Sequence, residues 1–154
     1  MDRLVRLYDL PNFDLIKLKE QGINIRHAMA YEKTKVISWV KKHFWQEWTD
    51  ECEVSFSNAP ISCFIATKDS KIIGFACYEA TCKNFFGPIG IDESFRGKGV
   101  GKALLISSLN AMKNMGYAYA IIGGGDGVDN FYSKTINAIP IDGSTPGIYK
   151  DFLK

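Results

Sequence analysis

Residues 87–105 read Gly-Pro-Ile-Gly-Ile-Asp-Glu-Ser-Phe-Arg-Gly-Lys-Gly-Val-Gly-Lys-Ala-Leu-Leu. An extended apolar stretch runs into a turn in which Gly97, Gly99 and Gly101 alternate with Lys98, Val100 and Lys102, and the turn opens straight into an apolar helix. That order constrains the chain strongly, because a strand must deliver the turn to the mouth of a helix. Glycine has no Cβ, so successive backbone N–H groups converge on one point and a ligand can come close. The helix aims the positive end of its dipole at the same point. Arg96, Lys98 and Lys102 add formal positive charge. The segment predicts a receptacle for a phosphate or pyrophosphate.

Spacing excludes two common phosphate loops. A Walker A loop needs a glycine five residues before Gly101 and a Ser or Thr after Lys102, where this chain has Arg96 and Ala103. The dinucleotide fingerprint needs a third glycine three residues after the second. Lys102 or Leu104 stands there, depending on where counting starts. The pattern that fits is Arg/Gln-x-x-Gly-x-Gly/Ala, written here as Arg96-Gly97-Lys98-Gly99-Val100-Gly101, with the strand end Ile89-x-Ile91 ahead of it. This resembles the acetyl-CoA pyrophosphate loop of the GNAT-type N-acetyltransferases. The resemblance covers roughly residue 23 to the C-terminus and is sharpest from Lys71 to Tyr132.

The resemblance implies acetyl-CoA as cosubstrate and an acetyl transfer to an amine. It assigns the pyrophosphate to Arg96, Gly97, Lys98, Gly99, Val100, Gly101 and Lys102. It assigns the pantetheine arm to the backbone of Ile89, Gly90 and Ile91, which would pair with it as an added strand. Phe131-Tyr132-Ser133-Lys134 resembles the segment that carries the family's general acid, so Tyr132 is expected to protonate the leaving thiolate. Seven residues earlier the family often has an Asn that touches the arm. Gly125 stands there instead, and Asn130 is the candidate to replace the contact. The attacking amine must lose a proton. Glu79 is the carboxylate chosen as base, with Glu53, Asp92 and Glu93 as the others weighed against simple solvation. Direct attack in a ternary complex is preferred to an acyl-cysteine route.

The first two helices of such a fold line the acceptor site. Here they run Trp39-Val-Lys-Lys-His-Phe-Trp45-Gln-Glu-Trp48-Thr-Asp-Glu-Cys-Glu53. Trp39 reads as core, whereas Trp45, Trp48 and the carboxylates beside them can receive a cationic amine through ring faces and charge. The turn Ser144–Tyr149 is a further candidate rim. A small-molecule amine acceptor follows, and a homodimer stays open. The alternative is a non-catalytic acyl-CoA sensor or interaction module that keeps the cofactor pocket.

With 154 residues and 46% hydrophobic content, one domain with one core is expected, residues 1–22 forming an N-terminal extension to it. A net charge of +2 without a Lys/Arg run argues against nucleic acid. No apolar stretch approaches 18 residues and the N-terminus lacks a signal-peptide pattern, so no membrane association and a cytoplasmic location are expected. Cys52, Cys63, Cys77 and Cys82 form no Cys-x-x-Cys pair and have no nearby His, so they read as reduced thiols and no metal is expected.

Periodicity predicts a strand over 4–8, a helix over 9–20, a strand over 23–28, helices over 31–44 and 45–57, and a hairpin of 62–67 with 71–80. A strand over 85–91, weakened by Pro88 and Gly90, is expected to bulge or splay. A helix over 99–115, a strand over 117–122, a helix over 129–135 and two short C-terminal strands follow. Strand–helix–strand at the centre implies a parallel pair. The fold class is therefore mixed α/β: a mostly antiparallel sheet with a central parallel pair, flanked by helices.

Overall fold

A computed structural model of the chain describes residues 1–124 and 129–154. Its strands are β1 (Arg3–Arg6), β2 (Ile23–His27), β3 (Cys63–Lys68), β4 (Lys71–Tyr78), β5 (Phe85–Ile91), β6 (Tyr119–Ile122) and β7 (Ile139–Pro140). Its helices are α1 (Ile16–Glu20), α2 (Lys33–His43), α3 (Gln46–Phe56), α4 (Val100–Asn114) and α5 (Asp129–Ile136). The strands form one sheet in the order β2-β3-β4-β5-β6-β1-β7. Every pair is antiparallel except β5–β6. The mixed sheet with its parallel pair, expected from the order of elements, is the architecture found. Among the described residues no helix is long and apolar enough to cross a membrane.

Alternation along β3 and β4 divides the core into two layers. Ile65 and Phe75 face α2 and α3, where they meet Val36 and Val40. Ala66 and Ala76 face the other way, onto Leu104, Leu105, Leu109 and Met112 of α4. Small residues on the α4 side let that helix lie close to the sheet.

Three local expectations change. The helix foreseen over 9–20 shortens to α1, because Leu10 precedes Pro11 and is extended (ψ 140). Its start is set by Asp14, whose Oδ1 accepts from the Ile16 N–H at 2.8 Å. The strand expected over 4–8 forms at residues 3–6 as β1, between β6 and β7, in register Arg3↔Ile122 and Leu4↔Ile139. Val5 and Leu7 are fully buried there. The C-terminal region holds one two-residue strand and a 3-10 turn, Gly147–Tyr149, rather than two strands. Pro140 lacks the donor that would extend a ladder.

β5 carries the feature that positions the site. It pairs with β6 only at Phe85↔Ile121 and Phe86↔Ile122. Beyond Phe86 its pairing runs to β4 alone, through Ile89, Gly90 and Ile91. The ladder ends where Pro88 removes a donor, and the two parallel strands part like a fork.

Candidate active site

The fork opens into a trough with two connected chambers. The inner one, about 360 Å³, lies where the strands part and is lined by Phe86, Pro88, Ile122 and Tyr132, with Glu51 and Tyr149 across from them. The outer one, about 520 Å³, runs past Gly90 and Ile91 to Arg96, Gly97, Gly99, Gly101 and Lys102. Trp45, Trp48 and Ile89 line both. Phe44 roofs the strand, and a Cβ at Gly90 would collide with its ring. Only glycine at 90 lets the tip of this ring come so close to β5.

The turn before α4 has the donor set an anion needs. Gly97 (φ 78) and Gly99 (φ 85) take left-handed conformations that L side chains avoid. Among the described residues no backbone N–H of residues 97–102 donates to a protein acceptor. Bonding resumes at Ala103, whose N–H donates to the Gly99 carbonyl at 3.0 Å. Unfilled donors at a helix start, with exposed cations around them, fit a diphosphate. Lys98 Nζ rests 5.2 Å from the Phe95 ring centre and Lys102 Nζ 5.5 Å from that of Phe13, so both charges stay beside the turn. Val100 is buried in the core and can offer only its amide. Asn130 is exposed on the first turn of α5, outside both chambers. Gly125 lies outside the described residues.

At the inner end Tyr132 projects from α5 into the chamber. Burial pushes its phenol up to about 12, and its hydroxyl has no hydrogen-bond partner among the described residues. The phenol is thus a proton donor at neutral pH that the fold leaves unused.

Glu79 does not reach the trough. At the end of β4 it takes a left-handed conformation (φ 59). Its Oε1 accepts from the Asn84 N–H at 2.7 Å, its Oε2 accepts from the Tyr117 hydroxyl at 3.1 Å, and Lys83 Nζ lies 3.9 Å away. It ties the β4–β5 connection to the end of α4. Glu53 pairs with Lys33 at 3.7 Å on the surface. Asp92 accepts from the Ser94 N–H at 2.9 Å and faces His43, and Glu93 sits beside Arg96.

The carboxylate that does line the inner chamber is Glu51. Burial raises its pKa, with smaller contributions from Asp50 and Glu47, against the Thr81 hydroxyl, which donates to Oε1 at 2.6 Å. Sequence reasoning counted it only among the carboxylates beside Trp45 and Trp48 that can receive a cationic amine, and gave the base to Glu79. The spacing 45, 48, 51 on one helical face is the signal that marks it. Thr81, in an irregular connection, had no signal at all. Tyr149 arrives from the C-terminal 3-10 turn, and burial, then Glu51, raises its pKa.

The family model described as the acetyltransferase (GNAT) family matches residues 25–134. No curated protein matches the chain. Solved structures share its fold. A fungal multi-domain β-N-acetylglucosaminidase with a GCN5-related glucosamine N-acetyltransferase region aligns at TM-score 0.69 and 14% identity, over 88% of this chain and 19% of that one. A GCN5-related N-acetyltransferase from Kribbella flavida aligns at 0.59 and 16%, over 90% and 53%. The GNAT family N-acetyltransferase YhbS from Escherichia coli, in complex with CoA, aligns at 0.56 and 17%, over 71% and 67%. This chain thus spans a fifth of the fungal protein and about half of the Kribbella one. With the family model covering more than two thirds of its length, the forked sheet and open glycine turn have their explanation: the chain belongs to the acetyltransferase (GNAT) family.

Proposed function

We propose that the protein transfers acetyl from acetyl-CoA to the primary amine of a small molecule by direct attack in a ternary complex. The observation that carries this reading is the trough itself, with unfilled amides at one end and a buried phenol facing a carboxylate at the other. The amides of residues 97–102 take the pyrophosphate, and the unpaired edge of Ile89–Ile91 pairs with the amide-bearing arm. The thioester then comes to the fork beside Tyr132. Glu51 removes a proton from the acceptor ammonium. The amine lone pair forms the new C–N bond, the C–S bond breaks, and Tyr132 gives its proton to the departing sulfur. The phenolate so formed takes the surplus proton of the new amide nitrogen, while Glu51 releases its own to solvent. We assign the base to Glu51 in place of Glu79, which is held by Asn84, Tyr117 and Lys83 and lines neither chamber.

The acceptor class follows from the lining of the inner chamber. One half-buried carboxylate among Trp45, Trp48 and Tyr149 suits a compact cation whose charge meets Glu51 and whose body packs on the rings. A volume of about 360 Å³ favours a small molecule over a folded partner.

The test is a screen of polyamines, amino sugars, amino acids and short peptides with acetyl-CoA, reading free thiol and the acetylated amine by mass spectrometry. At least one small amine should give equal amounts of both. Tight acetyl-CoA binding with no thiol release from any amine would sink the reading in favour of a non-catalytic acyl-CoA sensor.

A further inference from the structure

Three of the four cysteines, distant in sequence, converge on one point of the core. Cys52 and Ser55 stand one turn apart on the inward face of α3. Cys63 of β3 lies opposite Cys77 of β4 in the ladder, and both point toward α3. The three sulfurs lie within 4.8 Å of one another, and all three residues are fully buried. The Ser55 hydroxyl, also buried, is 3.6 Å from Cys77 Sγ. We propose that Cys52, Cys63, Cys77 and the Ser55 hydroxyl form a tetrahedral S₃O site for a divalent zinc-class cation.

The donor set selects the ion. A cluster of sulfurs without carboxylate or imidazole is wrong for Mg²⁺ or Ca²⁺ and right for a thiophilic d¹⁰ ion. Zinc bound at about 2.3 Å by each sulfur holds them about 3.8 Å apart. The trio therefore needs to contract by at most about 1 Å, within the reach of small χ1 changes. Charge decides the valence. Three thiolates around a divalent ion leave one net negative charge in the core, whereas a monovalent ion would leave two. Binding breaks three S–H bonds, forms three metal–sulfur bonds and releases three protons to solvent, with no change of oxidation state. The ion would pin α3 to β3 and β4. Glu51 precedes Cys52 on that helix, so the site would fix the acceptor wall without touching the trough. Read from sequence alone, with no metal expected, these thiols were separate fillers of the core.

Metal content is measured on full-length protein purified under reducing conditions from zinc-supplemented cells. Protein refolded with one equivalent of Co²⁺ is examined by absorption. The proposal expects about one zinc per chain, a sulfur-to-cobalt charge-transfer band with tetrahedral visible bands, and a melting temperature that zinc raises and a chelator lowers. Cys77→Ser and Cys52→Ser should each weaken binding at least tenfold, while Cys82→Ser should not. The cobalt titration of the unaltered chain needs no variant, so a misfolded variant cannot hide the answer. Absence of the band in refolded protein overturns the site, and so does a band that survives both substitutions. The trio would then be reduced thiols filling space.

Discussion

Tyr132, Glu51 and Glu79 separate three jobs that a single residue type cannot reveal. Tyr132→Phe keeps the ring and removes the proton, so kcat should fall about 100-fold or more while acetyl-CoA affinity stays within about twofold. A matching fall in affinity, read by calorimetry, would make the residue a binding group instead. Burial also gives the phenol a thermodynamic signature. Its pKa, pushed up to about 12, exceeds the value near 10 of an unfolded tyrosine. The folded state thus holds the proton more tightly. The associated stability is complete below about pH 10 and lost as pH climbs from about 10 toward about 12. Tyr78 is pushed equally high. Ultraviolet titration should therefore show Tyr78 and Tyr132 among the last of the seven phenols to ionise, and Tyr132→Phe should remove one late phenol. The two carboxylates part company under substitution. Glu51→Gln should lower kcat about 100-fold with little change in melting temperature. Glu79→Ala strips acceptors from Asn84 and Tyr117 and should cost about 1–3 kcal/mol of stability while sparing kcat. The reverse pattern, measured by steady-state kinetics and thermal melts, restores Glu79 as base.

The strand, turn and helix from 85 to 114 form a local unit, and that is why the half of the candidate site proposed for the cofactor could be picked out in the sequence. Its donors come from consecutive residues, so spacing alone locates them. The fork was legible too, since Pro88 announces a lost donor, although only the ladder shows that pairing stops at Phe86. The two glycines flanking Val100 are there for different reasons, and substitution should expose this. Gly99 has open space where a Cβ would go, but its φ of 85 is left-handed. Alanine there costs about 1–2 kcal/mol and turns the amides away, so stability falls and KM for acetyl-CoA rises about tenfold. Gly101 lies within α4 with an ordinary φ, and its added Cβ would sit 3.7 Å from Ile91 and 3.8 Å from Phe131. Alanine should stabilise the helix by up to about 1 kcal/mol. The same methyl narrows the outer chamber, so KM for acetyl-CoA should rise severalfold. Melting temperature and affinity then move in opposite directions at Gly101 and together at Gly99. An unchanged KM in Gly101→Ala would show that the cofactor does not pass that surface.

At the scale of the molecule, the inner chamber, proposed for the acceptor, draws on segments around residues 2 and 149 that no local pattern could join. Residues 25–134 carry the family match, yet the inner chamber is completed by Tyr149 and steadied by Asp2. β1 sits between β6 and β7, so the first residues of the chain touch the end of β6 and the C-terminal turn at once. The Gly124 N–H donates to Asp2 Oδ1 at 3.2 Å, the Asp2 N–H donates to Ser144 Oγ at 2.8 Å, and the Ile141 N–H donates to the Asp2 carbonyl at 2.9 Å. Tyr149 closes against Gly123, where an added Cβ would lie 2.9 Å from its hydroxyl. The backbone bonds survive loss of the Asp2 side chain, whereas the carboxylate's hold on Gly124 does not. Asp2→Ala should therefore leave the sheet intact and loosen only the chamber's rim. KM for the amine should rise severalfold, with KM for acetyl-CoA unchanged, because the donors at residues 97–102 lie at the other end of the trough. Leu7→Ala is the contrasting variant. Leu7 is fully buried beneath α4, and its loss should cost about 2–5 kcal/mol of global stability. At a temperature where that variant is still folded, both KM values should hold. Bisubstrate kinetics on the two variants decide the matter: equal rises in both KM values for Asp2→Ala would mean that β1 supports the whole trough, and that the acceptor wall is not separately tuned by the chain's ends.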